Sequence, residues 1–119
     1  MESFKSFFKK DQANMDEVLK FIFKYAALYV KKGYAVDIGE WTSGSVIADG
    51  LHEGIKAADA HYSNFKPSRY STSTLEDILL QKGWVQRKLG QYGVPSYRFT
   101  VTDDNKDILD DLDVFTSII

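Results

Sequence analysis

Residues 73–87 read STLEDILLQKGWVQR, and this stretch decides the fold. Ser73 and Glu76 have the spacing of a capping box, in which each side chain bonds the other residue's backbone amide at a helix N-terminus. Gly83 follows the last helical position and is the residue type that most often ends a helix. The next residues, WVQR, have the composition of a β-strand. The stretch therefore predicts a helix over residues 73–82 that leads directly into a strand.

A second strand is predicted shortly afterwards. Residues 97–101, YRFTV, alternate aromatic or aliphatic side chains with polar ones, as a half-buried strand does. Residues 90–95, GQYGVP, form a glycine- and proline-punctuated loop between the two runs. We expect residues 84–101 to form a β-hairpin, with Arg87 on one arm and Arg98 on the other.

The N-terminal part predicts one long helix. Asn14, followed by Glu17, resembles an N-cap, and Gly33 is a natural stop, so the expected helix covers residues 14–33 after an N-terminal arm of residues 1–13. Its middle is apolar nearly all round, which indicates burial on every side. Either other helices surround it or it forms a homodimer interface; we favour a homodimer through residues 14–32.

A second helix is predicted over residues 45–60. Thr42 or Ser43 is its expected N-cap, because both side chains can accept from an unpaired backbone amide. Gly50 and Gly54 weaken this helix by about 1 kcal/mol each relative to alanine. They indicate either a close approach by a neighbouring helix or a break into two shorter pieces.

The remaining elements are short or terminal. We expect a short strand at residues 34–36 and a polar loop over residues 61–70. Thr102 is the expected cap of a last helix, which with its tail covers residues 103–119, because Asp103 and Asp104 then lie in its first turn, where the helix dipole favours negative charge.

Composition indicates one soluble domain over residues 1–119. The chain has no cysteine, which excludes disulfides and thiolate metal sites and suits a cytoplasmic protein. The apolar run at residues 21–30 is shorter than the ~20 residues of a membrane span. His52 and His61 have no third ligand at metal-site spacing, and no catalytic motif occurs. We therefore expect no enzyme activity, no cofactor and no metal.

Charge is distributed unevenly along the chain. The net charge is −2, which by itself disfavours nucleic acid as a partner. Between residues 66 and 98, however, lysines and arginines face only two acids, Glu76 and Asp77. Residues 103–113 are rich in aspartate. A molecule with one basic and one acidic end can turn the basic end toward phosphate.

The order of elements over residues 73–112 resembles the C-terminal half of the winged helix-turn-helix domains of MarR- and PadR-like bacterial regulators. The shared pattern is a leucine-rich helix, a glycine stop, a basic strand, a wing, an aromatic return strand and a final helix. The matching positions are Leu79, Leu80, Gly83, Trp84, Val85, Arg87, Tyr97, Phe99, Thr100, Thr102 and residues 107–112. The resemblance implies an α+β fold, a winged helix-turn-helix that is helix-rich and has a two-stranded β-hairpin wing.

The resemblance also implies a small transcriptional regulator that binds double-stranded DNA. Residues 73–82 would enter a DNA groove, and the wing would lie near the phosphates. Hydroxyl-rich helix N-termini bind phosphate through free amides, and basic side chains add a salt-dependent attraction. The DNA-binding residues expected on this basis are Arg69, Ser71, Thr72, Ser73, Thr74, Lys82, Arg87, Lys88, Tyr92 and Arg98. In a dimer the two helices would lie about 34 Å apart, one DNA turn.

A protein-binding module is the alternative. The same fold could serve as a phage- or plasmid-type adaptor or inhibitor that does not bind DNA. The net negative charge and the adjacent acids Glu76 and Asp77 favour this function. Capping alone accounts for Ser73, and a solvated hairpin face accounts for Arg87 and Arg98.

Overall fold

Three helices and a three-stranded antiparallel sheet make up the part of the chain that the structure describes. This computed structural model describes residues 4–62 and 71–107, with side chains from residue 16 onward. The elements, in chain order, are α1 (Phe4–Tyr34), β1 (Thr42–Ser43), α2 (Gly44–His61), α3 (Thr72–Lys82), β2 (Val85–Leu89) and β3 (Pro95–Phe99). The predicted α+β class is confirmed. Arg69 and the polar loop around it lie outside the described residues, as does residue 108 onward.

The sheet has the order β1-β3-β2, so β3 is its central strand. Val85 pairs with Phe99 and Leu89 with Pro95, which confirms the predicted hairpin within slightly narrower bounds. The strand predicted at residues 34–36 is wrong. The additional strand is β1, where Thr42 pairs with Tyr97. Two residues are too few to show the alternation from which a strand is recognised.

Helix α1 is longer at both ends than predicted. It begins at Phe4, so the expected arm is largely helical and Asn14 is not its N-cap. Residues 4–14 contain neither glycine nor proline, and nothing in them stops a helix. At the other end α1 continues through Gly33, and the left-handed residue is Ala35, with a φ of 57°. The hydroxyl of Tyr34 donates to Asp49 Oδ2 at 2.6 Å and ties this last turn to α2.

Helices α1 and α2 are in close contact at two glycines. A Cβ atom on Gly50 would lie 2.7 Å from Val30 Cγ2, and one on Gly54 would lie 2.7 Å from the carbonyl oxygen of Ile22. Helix α2 is continuous across both positions. The glycines therefore permit a close helix contact and do not break the helix, which decides between the two predicted alternatives.

For α2 and α3 the structure confirms two predicted caps, Ser43 of the Thr42–Ser43 pair and Gly83, and changes the third. Ser43 caps α2 by accepting from the Val46 amide at 3.4 Å. Gly83 ends α3 in the left-handed conformation, with a φ of 79°. The N-cap of α3, however, is Ser71, which accepts from the Thr74 amide at 3.1 Å. The predicted capping box that begins at Ser73 is wrong, because this residue already lies within the first helical turn.

The core lies between the three helices and the inner face of the hairpin. The ring of Phe23 packs edge-on against Trp84, with centroids 5.7 Å apart, and against Phe99 at 5.4 Å. Leu75 and Leu79 of α3 are fully buried beside them. These contacts attach the hairpin to the helices.

After β3 the described chain ends in turns. The Thr102 hydroxyl accepts from the Asp104 amide at 3.2 Å. Fully buried Asn105 accepts from the Thr102 amide at 2.6 Å and donates to the Thr100 carbonyl at 3.2 Å. The predicted last helix, residues 103–119, falls mostly outside the described residues, and residues 103–107 are turns. Within residues 4–62 and 71–107, no helix combines the length and apolarity that crossing a bilayer requires.

The close contact at Gly54 can be tested by substitution. Gly54→Ala places a methyl group against the backbone of Ile22 and should lower the free energy of unfolding by about 1–3 kcal/mol. The matched control is Gly33→Ala, where nothing lies within 4 Å of the added carbon and helix propensity should raise stability by up to about 1 kcal/mol. Urea denaturation measures both variants. Equal stability of Gly54→Ala and the parent would contradict the described packing.

Candidate nucleic-acid interface

The outer face of the sheet carries a basic cluster around one tryptophan. Lys88 Nζ lies 4.2 Å and Arg98 Cζ 4.5 Å from the ring centroid of Trp41. Both distances allow cation–π attraction, worth about 0.5–1 kcal/mol at exposed sites. We call Trp41, Gln86, Lys88 and Arg98 the Trp41 cluster. It brings together two of the predicted DNA-binding residues.

Strand pairing aligns the members of the Trp41 cluster. Gln86 lies opposite Arg98 on the neighbouring strand. Thr42 pairs with Tyr97, and continuing this register by one residue places Trp41 beside Arg98 on the other side. Arg98 Nε donates to Gln86 Oε1 at 2.8 Å, which uses one of its five N–H donors. The guanidinium is thus held in position and keeps donors for a ligand.

Arg87 lies on the opposite face of the hairpin. Its guanidinium carbon is 5.9 Å from the ring centroid of Tyr97, on the side facing α3. Successive residues of a strand point to opposite faces, so Arg87 and Lys88 extend to the two sides of the ribbon. The predicted wing cations therefore do not form one patch.

Glu76 faces the sheet and interacts with Tyr97 and Arg87. Burial and the negative charge of Asp77 raise the pKa of the Glu76 carboxyl, while a hydrogen bond with Tyr97 and the positive charge of Arg87 lower it, leaving the pKa above its ordinary value. Asp77 is exposed and Glu76 is half-buried. Only Asp77 of the two acids is fully exposed, which weakens one of the features that favour the adaptor interpretation.

The hydroxyls at the start of α3 mainly bond to one another. Ser71 Oγ lies 2.7 Å from Thr74 Oγ1 and 3.1 Å from Ser73 Oγ, and it also caps the Thr74 amide. Ser73 and Thr74 are exposed, and Thr72 is half-buried. This arrangement is first a helix cap. It leaves Ser73 and Thr74 at the surface, where their hydroxyls can also contact a ligand.

Lys82 is separated from the other predicted contacts. It lies in the last turn of α3, about 16 Å along the helix from Ser71. Its Nζ is 3.9 Å from Asp16 Oδ1 and 5.4 Å from the ring centroid of Trp84. Asp16 belongs to α1, so the Lys82 side chain lies toward α1 and apart from the other predicted contacts.

The hairpin tip is the most exposed apolar part of the described chain. The exposed fraction is 97% for Tyr92, 70% for Leu89 and 62% for Val94. The tip is ordered by backbone hydrogen bonds: the Gly90 amide donates to the Val94 carbonyl at 2.8 Å, and the Gly93 amide donates to the Gly90 carbonyl at 3.2 Å. The predicted placement of Tyr92 at the tip is confirmed.

Trp41 is the residue that sequence analysis missed. It lies in no helix or strand, and its position next to the hairpin depends on β1 pairing with β3. The one available signal is an aromatic residue two positions before the helix cap Ser43, which is a common arrangement. The long-range pairing that gives it significance cannot be recognised from a two-residue strand.

Comparisons of this chain with protein-family models, with curated proteins and with solved structures find no match. In the part of the chain that the structure describes, no three histidine, aspartate or glutamate side chains lie together as metal ligands would. His61 stacks on Phe21, with ring centroids 4.8 Å apart, and His52 is exposed on α2.

The partial burial of Glu76 predicts a pH-dependent stability difference. Because its folded-state pKa is raised, the charged form destabilises the fold at pH values above that pKa, and protonation at lower pH removes the penalty. Glu76→Gln, which keeps an acceptor for Tyr97, should have a higher Tm than the parent at pH 7 and an equal Tm near pH 3.5.

Thermal unfolding followed by circular dichroism measures this difference. Asp77→Asn removes the neighbouring exposed charge and should change stability by less than about 0.5 kcal/mol at either pH. A Glu76→Gln variant that is less stable than the parent at pH 7 would show that the attraction of Arg87 outweighs the burial of the carboxylate.

Proposed function

We propose that this protein is a winged helix-turn-helix that binds duplex DNA, most simply as a small transcriptional regulator in the cytoplasm. Two features support the fold assignment. The elements follow the order α1-β1-α2-α3-β2-β3, and the third strand lies between the other two. Helix α3 leads through Gly83 directly into the hairpin, which is then the wing.

The Trp41 cluster is the observation that carries the proposal. Residues 84–102 contain three cations, Arg87, Lys88 and Arg98, and no acid. Two of the cations are ordered against Trp41 on the outer face of the sheet. Pre-positioned arginine and lysine side chains on a ribbon neutralise phosphates and release counterions, which supplies most of the affinity of non-specific DNA binding.

Helix α3 contributes contacts of a different kind. Its solvent side carries Ser73, Thr74 and Gln81, with Asp77 between them. Hydroxyl side chains bond phosphates or base edges, and glutamine can form a bidentate pair with adenine. The single exposed acid limits how closely this face approaches phosphate. We therefore assign positioning to the wing and a smaller share of sequence recognition to α3.

A homodimer through residues 14–32 completes this proposal. One side of α1 is buried against α2, through Ile22 and Val30 among others. Tyr25 on the same helix is half-buried. Aromatic side chains of this kind are enriched in protein interfaces. A two-fold pair of subunits would present two wings to one duplex.

The protein-binding module stays the second candidate. It is favoured by the exposed apolar side chains of Leu89, Tyr92 and Val94 and by the net charge of −2. The orientation of Glu76 toward the sheet weakens it, because the acidic face is reduced to Asp77.

A salt titration of duplex binding tests the proposed function. The logarithm of the association constant should fall linearly with the logarithm of salt concentration, and Lys88→Ala and Arg98→Ala should each make this slope shallower by about one unit. Lys56→Ala is the matched control, because this exposed lysine of α2 pairs with Glu53 and lies outside the wing. Fluorescence anisotropy of a labelled duplex gives the slopes.

Two results would reject the proposal. The first is the absence of duplex binding by the intact protein at low salt, which would favour the protein-binding module. The second is an equal loss of slope in Lys56→Ala and the two wing variants. That result would indicate that the net loss of positive charge, not the wing, determines binding.

A further inference from the structure

The hairpin tip exposes large apolar side chains. Leu89, Tyr92 and Val94 are three of the four large hydrophobic residues exposed in the described part of the chain. The fourth, Tyr34, is 45% exposed and uses its hydroxyl to bond Asp49. The ring of Tyr92, at 97% exposure, is almost entirely in solvent.

The backbone holds Tyr92 in an unfavourable conformation. Its φ of 64° and ψ of 17° lie in the left-handed region, which residues with a Cβ atom rarely adopt. Glycine would relieve this strain, and Gly93 beside it also has a positive φ, of 73°. Strained residues that pack against nothing in the fold are typical of sites that contact a ligand.

The cations of the hairpin lie on both sides of this tip. Arg87 points to one face of the ribbon and Lys88 to the other, as their contacts with Tyr97 and Trp41 show. Gly90 and Gly93 have no side chains, which makes the tip narrow. A narrow apolar tip between two cations is complementary to a groove with a negatively charged wall on each side.

We propose that the hairpin tip enters the minor groove of duplex DNA and inserts Tyr92 between two base pairs, so that the duplex bends. This inference rests on the proposed DNA-binding function. Proteins that insert an apolar side chain from the minor groove partly unstack one base step and kink the helix. Here Leu89 and Val94 would contact the sugars on either side, while Arg87 and Lys88 would contact the two phosphate strands.

Insertion between base pairs fits a tip that carries a single aromatic ring, Tyr92, with two smaller aliphatic side chains near it. A membrane anchor needs more apolar area than one ring at the tip and two aliphatic side chains behind it. A gap between two base pairs is filled by a single flat ring. Insertion of Tyr92 also predicts that the protein prefers pyrimidine–purine steps, which unstack most easily.

The test compares a matched duplex with one that has a single central mismatch. A mismatch lowers the cost of unstacking, so the intact protein should bind the mismatched duplex at least about fivefold more tightly. Tyr92→Gly, which tolerates the same backbone conformation, should bind both duplexes equally and keep the salt dependence of the parent. Tyr92→Phe should keep the preference, since it retains the ring.

Fluorescence of 2-aminopurine next to the mismatch, or next to a TA step in the matched duplex, reports unstacking directly. It should rise with the parent and with Tyr92→Phe, and stay unchanged with Tyr92→Gly.

Each other outcome has a distinct meaning. If the parent and Tyr92→Gly show the same ratio of affinities for the mismatched and matched duplexes, Tyr92 does not insert between base pairs. The proposed DNA binding then still stands. If the parent binds neither duplex at low salt, both proposals are wrong. A third outcome is that the parent shows no preference for the mismatched duplex but binds vesicles of anionic phospholipid, and that Tyr92→Gly does not bind them. The tip would then be a membrane-contacting loop, and the proposed insertion into DNA would be wrong.

Discussion

The antiparallel pairing on both sides of β3 is the constraint on which the rest of the structure depends. Strand β2 pairs along one edge of β3, and β1 pairs along the other. The inner residues of β3, Tyr97 and Phe99, are buried in the core. Phe99 also accepts from the Gly39 amide at 2.8 Å, which holds the segment before β1 against the sheet. The hairpin is therefore attached to the helices on one face and to the α1–α2 connection at one edge.

This constraint also determines the chemistry of the hairpin. Because β3 is central, Arg98 has neighbours on both sides, Trp41 toward β1 and Gln86 toward β2. The same alternation that buries Tyr97 places Arg98 on the outer face. A free two-stranded hairpin would present its cations on long mobile side chains. In this fold Lys88 and Arg98 are ordered before any ligand arrives, which lowers the entropic cost of binding.

Local signals in the sequence correctly predicted several elements. The stop at Gly83, the hairpin that follows it and the cap at Ser43 all depend on residues close together in the chain. Gly50 and Gly54 indicated a close helix contact or a break, and only the structure distinguishes the two.

The predictions failed where neighbouring signals compete or where contacts are distant in sequence. Ser71 and Ser73 are equally good caps, and the helix uses the first of them. Helix α1 continues past Gly33, and its last turn is bonded to α2 through Tyr34 and Asp49, a contact that no nearby residue in the sequence indicates. Trp41 lies in the candidate site only because β1 pairs with β3, and no nearby residue in the sequence indicates that pairing.

The two tryptophans of the chain give the most direct test of the wing as the DNA-binding surface. Trp41 lies in the basic cluster, whereas Trp84 is 3% exposed and packs against Phe23. Heteronuclear NMR resolves one indole N–H signal for each ring. During titration with a short duplex at low salt, the Trp41 signal should move progressively while the Trp84 signal stays in place. A duplex that binds without moving the Trp41 signal would contradict the account.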